Sequence, residues 1–126
     1  VSDNNTTSIP SHYKLTLSNN RYLTEKAVGK AIKKSGIPRQ ELFITTKLWN
    51  NKHHPDDVAP ALQQSLDDLE LDYVDLYLIH WPVAWKRGDD LFPKQDGNMI
   101  LENIDIVDVR DTGFSWTSLG HALTSL

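Results

Sequence analysis

Two apolar, β-branched runs, "ELFITTKLW" at 41–49 and "YVDLYLI" at 73–79, each follow a stretch of helical periodicity. That alternation constrains the fold more than any other feature of the chain. Strands separated by helices are too far apart in sequence to close as tight hairpins, and they form parallel βαβ units instead. In the first helical stretch Ala27, Val28, Ala31 and Ile32 share one face, while Lys30, Lys33 and Lys34 lie outside it. Gly36 offers a left-handed stop, with Pro38 just beyond. In the second stretch Val58, Leu62, Leu66 and Leu69 mark an apolar stripe. Pro55 suits a first turn, and Asp56 and Asp57 suit the positive end of a helix dipole. Pro60 argues for a regular helix that starts near Asp57, which keeps this proline within the first turn.

The remaining segments carry weaker patterns. "YKLTL" at 13–17 alternates as a short strand would, and "NNKHHPDD" at 50–57 reads as a loop closing in a helix start, with His53 and His54 in a solvated part of it. Pro82, Gly88, Pro93 and Gly97 punctuate a long loop after the second run. Trp116, Leu119, Leu123 and Leu126 stand at helical spacing in the tail, interrupted by Gly120. The 126 residues suffice for one ordinary domain. A net charge of −4 with both signs scattered offers no basic stripe for nucleic acid. No apolar run is long enough to span a membrane. Without cysteine there are no disulfides or thiolate metal sites, and a cytoplasmic location is expected. His53 and His54 have no third ligand at a metal-binding spacing, so no metal is expected.

In parallel α/β folds, functional groups collect at the carboxyl ends of strands. Lys47 and His80 occupy those positions on consecutive strands, about one strand spacing of 4.8 Å apart. Trp49 and Trp81 closely follow them, which suits an aromatic-walled pocket. A lone strand-end histidine or lysine is more often structural or solvated; their juxtaposition gives the functional reading its weight.

The stretch "YLTEKAVGKAIKKSGIPRQELFITTKLWN", followed by "LDYVDLYLIHWP" and "KRGDDLFP", resembles the aldo-keto reductases, of the fungal type related to xylose and glycerol reductases. The likeness runs over about residues 22–105. It implies a (β/α)₈ TIM barrel that binds a reduced nicotinamide, usually NADPH, and reduces aldehyde, ketone or sugar carbonyls. It implies catalytic roles for Tyr22, Lys47 and His80, and substrate-lining roles for Trp49, Trp81 and Phe92. The resemblance makes chemical sense of these residue types. An ammonium beside a tyrosine makes the phenol a better acid, and a histidine donor orients and polarises a carbonyl.

The chain also departs from the family pattern. Leu17 stands where the family carries its aspartate, and Thr24 replaces the usual asparagine. A (β/α)₈ barrel takes about 250 residues, roughly twice this length. The expected organisation is a divergent arm over 1–21, a partial reductase domain over 22–108 and a divergent tail over 109–126. The fold expectation is thus an α/β segment of an incomplete barrel, with open sheet edges able to pair with another chain. The functional expectation is an NADP-dependent oxidoreductase by descent whose truncated chain is inactive alone. The alternative is a non-catalytic remnant or interaction fragment. A hydrolase reading lacks a G-x-S-x-G elbow.

Overall fold

The computed structural model describes residues 13–16 and 24–111. A three-stranded parallel sheet forms its centre: β1 (Tyr13–Thr16), β2 (Leu42–Leu48) and β3 (Leu76–Ile79), in the order β1-β2-β3. Helix α1 (Glu25–Ser35) links β1 to β2, and helix α2 (Pro55–Leu69) links β2 to β3. Each crossover moves the chain one strand further in the same direction. Successive right-handed crossovers of that kind put both helices on the same face of the sheet. These are the parallel βαβ units that the sequence pattern predicts, in the arrangement of an arc of the barrel that the resemblance implies.

The burial of β2 shows which face is which. Leu42, Ile44, Thr46 and Leu48 point to the helices and are buried. Phe43 and Lys47 alternate to the other face and are partly open. The core joins Ile32 of α1, the α2 stripe of Val58, Leu62, Leu66 and Leu69, and Val74 and Tyr77 before and within β3.

Local chemistry explains the element ends. Gly36 adopts φ 69° and ends α1 in the left-handed region, where glycine meets no steric penalty. The second helix departs from the sequence expectation: it begins at Pro55, so Pro60 lies beyond the first turn. His54 makes the earlier start possible. Its Nδ1 accepts from the Asp56 N–H at 3.3 Å and its carbonyl accepts from the Asp57 N–H at 2.8 Å. Pro60 then forfeits only the bond to the Asp56 carbonyl.

The third strand is shorter than 73–79. At its start the Tyr73 carbonyl accepts from Arg39 Nη2 at 2.9 Å, and Asp75 Oδ2 accepts from the Ile44 N–H at 2.7 Å. Backbone pairing starts only at Asp75, whose N–H donates to the Ile44 carbonyl at 2.9 Å, and side chains take the groups before it. The region after His80 is more ordered than a plain loop. Its pieces are β4 (Ala84–Trp85), β5 (Lys94–Gln95), β6 (Asn98–Met99) and β7 (Leu101–Glu102). They form two small antiparallel pairs, β4 with β7 and β5 with β6. A short helix α3 (Ile106–Arg110) follows, capped by the Asp105 side chain. The helical spacing in the tail lies outside the described residues.

The two long helices approach so closely that one residue type is required at Gly29. A Cβ there would stand 2.5 Å from the Leu69 carbonyl oxygen and 2.7 Å from its carbon. Because the obstacle is backbone, the helices themselves must separate. Overpacking costs up to about 3 kcal/mol, while Ala gains about 1 kcal/mol over Gly in a helix. Gly29→Ala is therefore expected to lower unfolding stability by about 2 kcal/mol net. Urea titration checks this, and a rise in midpoint would contradict the packing.

Candidate functional site

Lys47 and His80 sit at the same end of adjacent parallel strands. The register pairs Lys47 with Leu78, and His80 stands two residues beyond Leu78 on the same alternating face. Standard strand dimensions put their Cα atoms about 8 Å apart. The ladder extends past the last strand residue, since the His80 N–H donates to the Leu48 carbonyl at 3.1 Å. Both side chains are half-buried. Lys47 has no carboxylate within ion-pair distance among the described residues. Tyr22 and Leu17 lie outside the described residues.

Four aromatic rings cluster about His80 and the strand ends. The Trp49 ring lies 5.0 Å from the His80 imidazole, and Trp81 lies 5.8 Å from it, both tilted by about 30°. Phe92 meets Trp49 edge-on at 5.6 Å. Such edge and tilted contacts suit the ring quadrupoles. Trp49 is buried, whereas Trp81 is 49% and Phe92 37% exposed, so the latter two form the rim.

Trp85 was not among the expected site residues, yet it is the hub of this cluster. It meets Trp49 at 5.3 Å, Trp81 at 5.7 Å and Phe92 at 5.9 Å, and it is itself buried. Its place depends on pairing with Leu101 across the β4–β7 ribbon. That contact spans sixteen positions and leaves no local periodicity to read.

The loop after β2 is tied to the loop after β3. Trp49 Nε1 donates to the Leu91 carbonyl at 2.8 Å. Asn51 Nδ2 donates to the Gly88 and Asp90 carbonyls at 2.9 and 2.8 Å. Arg87 grips Asp57 with two bonds of 2.6 and 2.8 Å, and this contact lowers the Asp57 carboxyl pKa. Here the structure corrects the reading of His53 as part of a solvated loop. Asn50, Asn51 and His53 are almost fully buried, because Asn50–Lys52 closes as a 3₁₀ turn beneath the 88–91 segment.

A second buried polar group lies on the helix side of the sheet. Glu25 Oε1 accepts from Thr46 Oγ1 at 2.6 Å. Burial raises the Glu25 pKa above its ordinary value, opposed by hydrogen bonds from Thr46 and Ser65. This carboxyl joins the start of α1 to the residue preceding Lys47. Among the described residues no cluster of three acidic or histidine side chains is placed to hold a metal ion, and no helix is long and apolar enough to cross a membrane.

A parallel arc with an ammonium, an imidazole and aromatic walls at its carboxyl end defines a segment of an α/β-barrel protein with a strand-end site. Comparison with known proteins gives the family. The family model described as Aldo/keto reductase family matches residues 18–113, and this chain belongs to that family. Aldo-keto reductase family 1 member A1 of Xenopus tropicalis is 55% identical over 97 residues, covering 72% of this chain and 29% of the relative. An uncharacterized oxidoreductase of Schizosaccharomyces pombe is 55% identical over 82 residues, covering 64% of this chain and 26% of that protein. Among solved structures, the aldose reductase of Schistosoma japonicum superposes with a TM-score of 0.80 at 34% identity. That match covers 90% of this chain and 39% of the other. The chain thus spans less than a third of these curated relatives.

Proposed function

We propose that this chain is part of an NADPH-dependent carbonyl reductase, a cytoplasmic oxidoreductase acting on small aldehydes, ketones or sugars. The observation that carries the reading is the placement of Lys47 and His80 on one face of adjacent strand ends beside Trp49. In this reading His80 orients and polarises the substrate carbonyl, and Lys47 makes the Tyr22 phenol a better proton donor. Trp49, Trp81 and Phe92 form the apolar wall that keeps water from the reacting carbonyl.

The cofactor's part in this reading comes from the family. The described residues do not fit its diphosphate. Helix α2, the first after β2, opens with Pro55, Asp56 and Asp57, and two carboxylates repel a phosphate from that N-terminus. The left-handed glycines Gly36, Gly88 and Gly97 lie at a helix C-terminus and in loops, and none opens a helix after a strand. We therefore assign these residues to carbonyl handling only. The same mismatch, with Leu17 in place of the family carboxylate, supports the reading that the 126-residue polypeptide does not turn over alone. The outer edge of β3 carries no strand among the described residues, which suits pairing with another chain.

Two assays test this. The isolated polypeptide, given NADPH and glyceraldehyde, is expected to run more than a hundredfold below an ordinary enzyme's rate of about 10 s⁻¹. Residues 24–111 are then transplanted into the matching stretch of the Xenopus relative. The hybrid should reduce glyceraldehyde, and Lys47→Met or His80→Gln within it should lower kcat by about 10²–10⁴. A hybrid that keeps full activity with both substitutions rejects the assignment.

A further inference from the structure

The turn after β2 holds polar atoms that the reductase reading does not use. Asn50 is 0% exposed, and neither its Oδ1 nor its Nδ2 has a hydrogen-bond partner among the described residues. His53 is 2% exposed, and its Nε2 is likewise unpartnered. Buried polar groups in folded proteins are nearly always satisfied, by protein or by ordered water. Asn51 Oδ1 on the same turn is buried and unpartnered as well. Four such atoms on three residues call for a partner that the turn itself does not supply.

Backbone geometry brings these atoms together. Asn50 opens the 3₁₀ turn Asn50–Lys52, and His53 continues it with φ −73° and ψ −16°. In a 3₁₀ helix the side chains at i and i+3 eclipse. Asn50 and His53, three positions apart, therefore lie on the same edge of the turn. Asn51 points elsewhere, because its amide nitrogen is committed to the Gly88 and Asp90 carbonyls.

We propose that Asn50 and His53 form a binding site for one internal water molecule, which bridges the Asn50 carboxamide to His53 Nε2. The ligand is water rather than a substrate or cofactor group because the site is closed: neither residue offers a surface that a larger molecule could reach. A water there has the two or more polar partners that such a site requires. Burial lowers the His53 pKa to about 4, so the ring is neutral near pH 7 and meets the water as a neutral group. The bridge locks the turn that carries Trp49 at its N-terminal edge and Asn51 within it. It gives Asn50 and His53 a part in holding the aromatic wall.

The test uses the full isotope-labelled chain at pH 7. Nuclear Overhauser transfer from water to the Asn50 side-chain amide protons and to the His53 ring protons is measured. The expected result is transfer at both residues, with the sign of a water that tumbles with the protein. Absence at either residue, or the sign of freely diffusing water, overturns the bridge. Asn50→Leu keeps the volume and removes the amide. It should abolish the transfer at His53 and lower Tm by about 5 °C, the shift expected for about 1 kcal/mol in a domain of this size. Persistence of the transfer at His53 in that variant also overturns the proposal. Should Asn50→Leu fail to fold, the measurement on the unsubstituted chain decides alone.

Discussion

Acidification from pH 6.5 to pH 4 is expected to cost the chain about 3 kcal/mol of folding stability through His53 alone. Burial holds the folded imidazole neutral down to about pH 4, whereas an unfolded chain takes up that proton near 6.5. Across this window the unfolded state binds more protons, so stability is present above 6.5 and drains away as pH falls. Two and a half units at about 1.4 kcal/mol each give the magnitude. Glu25 has the opposite sign. Its folded pKa lies above 4.5, so the folded chain takes up that proton first and gains stability as pH falls toward 4.5. Removing the histidine should therefore do more than flatten the profile. In His53→Gln, unfolding midpoints in urea between pH 4.5 and 7.5 should tilt the other way, with greater stability at the acid end. An unchanged slope in that variant would show that other groups govern the acid response.

Asp75→Ala is expected to destabilise the chain by about 3 kcal/mol. The carboxylate does two jobs at the amino ends of the strands. One oxygen accepts from the Ile44 N–H at 2.7 Å and from Arg39 Nη2 at 2.8 Å. Arg39 also donates to the Leu42 and Tyr73 carbonyls and lies 3.8 Å over the Tyr73 ring. Its side chain is only 16% exposed, so losing Asp75 leaves a mostly buried cation without its counter-charge. Breaking a fully buried pair costs about 3–5 kcal/mol, and the partial exposure of both groups favours the lower end. Asp75→Asn separates the two jobs, since an amide oxygen can still accept from Ile44. It should cost roughly half as much. A double-mutant cycle with Arg39→Ala, read by urea unfolding, gives the coupling, and a coupling near zero would mean the pair contributes nothing beyond packing.

Much of the fold was legible because local rules and tertiary packing agree. Helix α1 ends where Gly36 can turn left-handed, and every residue of the expected α2 stripe is buried. The expected α1 face is only half right: Ile32 is buried and Val28 partly so, whereas Ala27 and Ala31 are exposed and Glu25 and Gly29 are buried instead. The places where the sequence misleads are those where a side chain replaces backbone. His54 starts α2 earlier than Pro60 suggests, and Arg39 with Asp75 shortens β3. His53 reads as a solvated histidine because nothing in "NNKHHPDD" encodes the 88–91 segment that fastens this turn through Asn51 and Lys52. Lys47 and His80 could be picked out from strand ends alone, whereas Trp85 owes its position to a ribbon formed much later in the chain.

The ties between the 49–57 and 88–92 segments bear on how a ligand would arrive. A loop that must swing aside sets a conformational toll on every binding event. Here the corresponding segment is fastened through Trp49, Asn51 and Asp57. Entry would then pass over the exposed edges of Trp81 and Phe92 toward a wall already in place. Selection by such a wall acts on the shape of the visitor, since little ordering remains to be done when it docks. Among the described residues, then, this wall stands ready without a segment that has to open first.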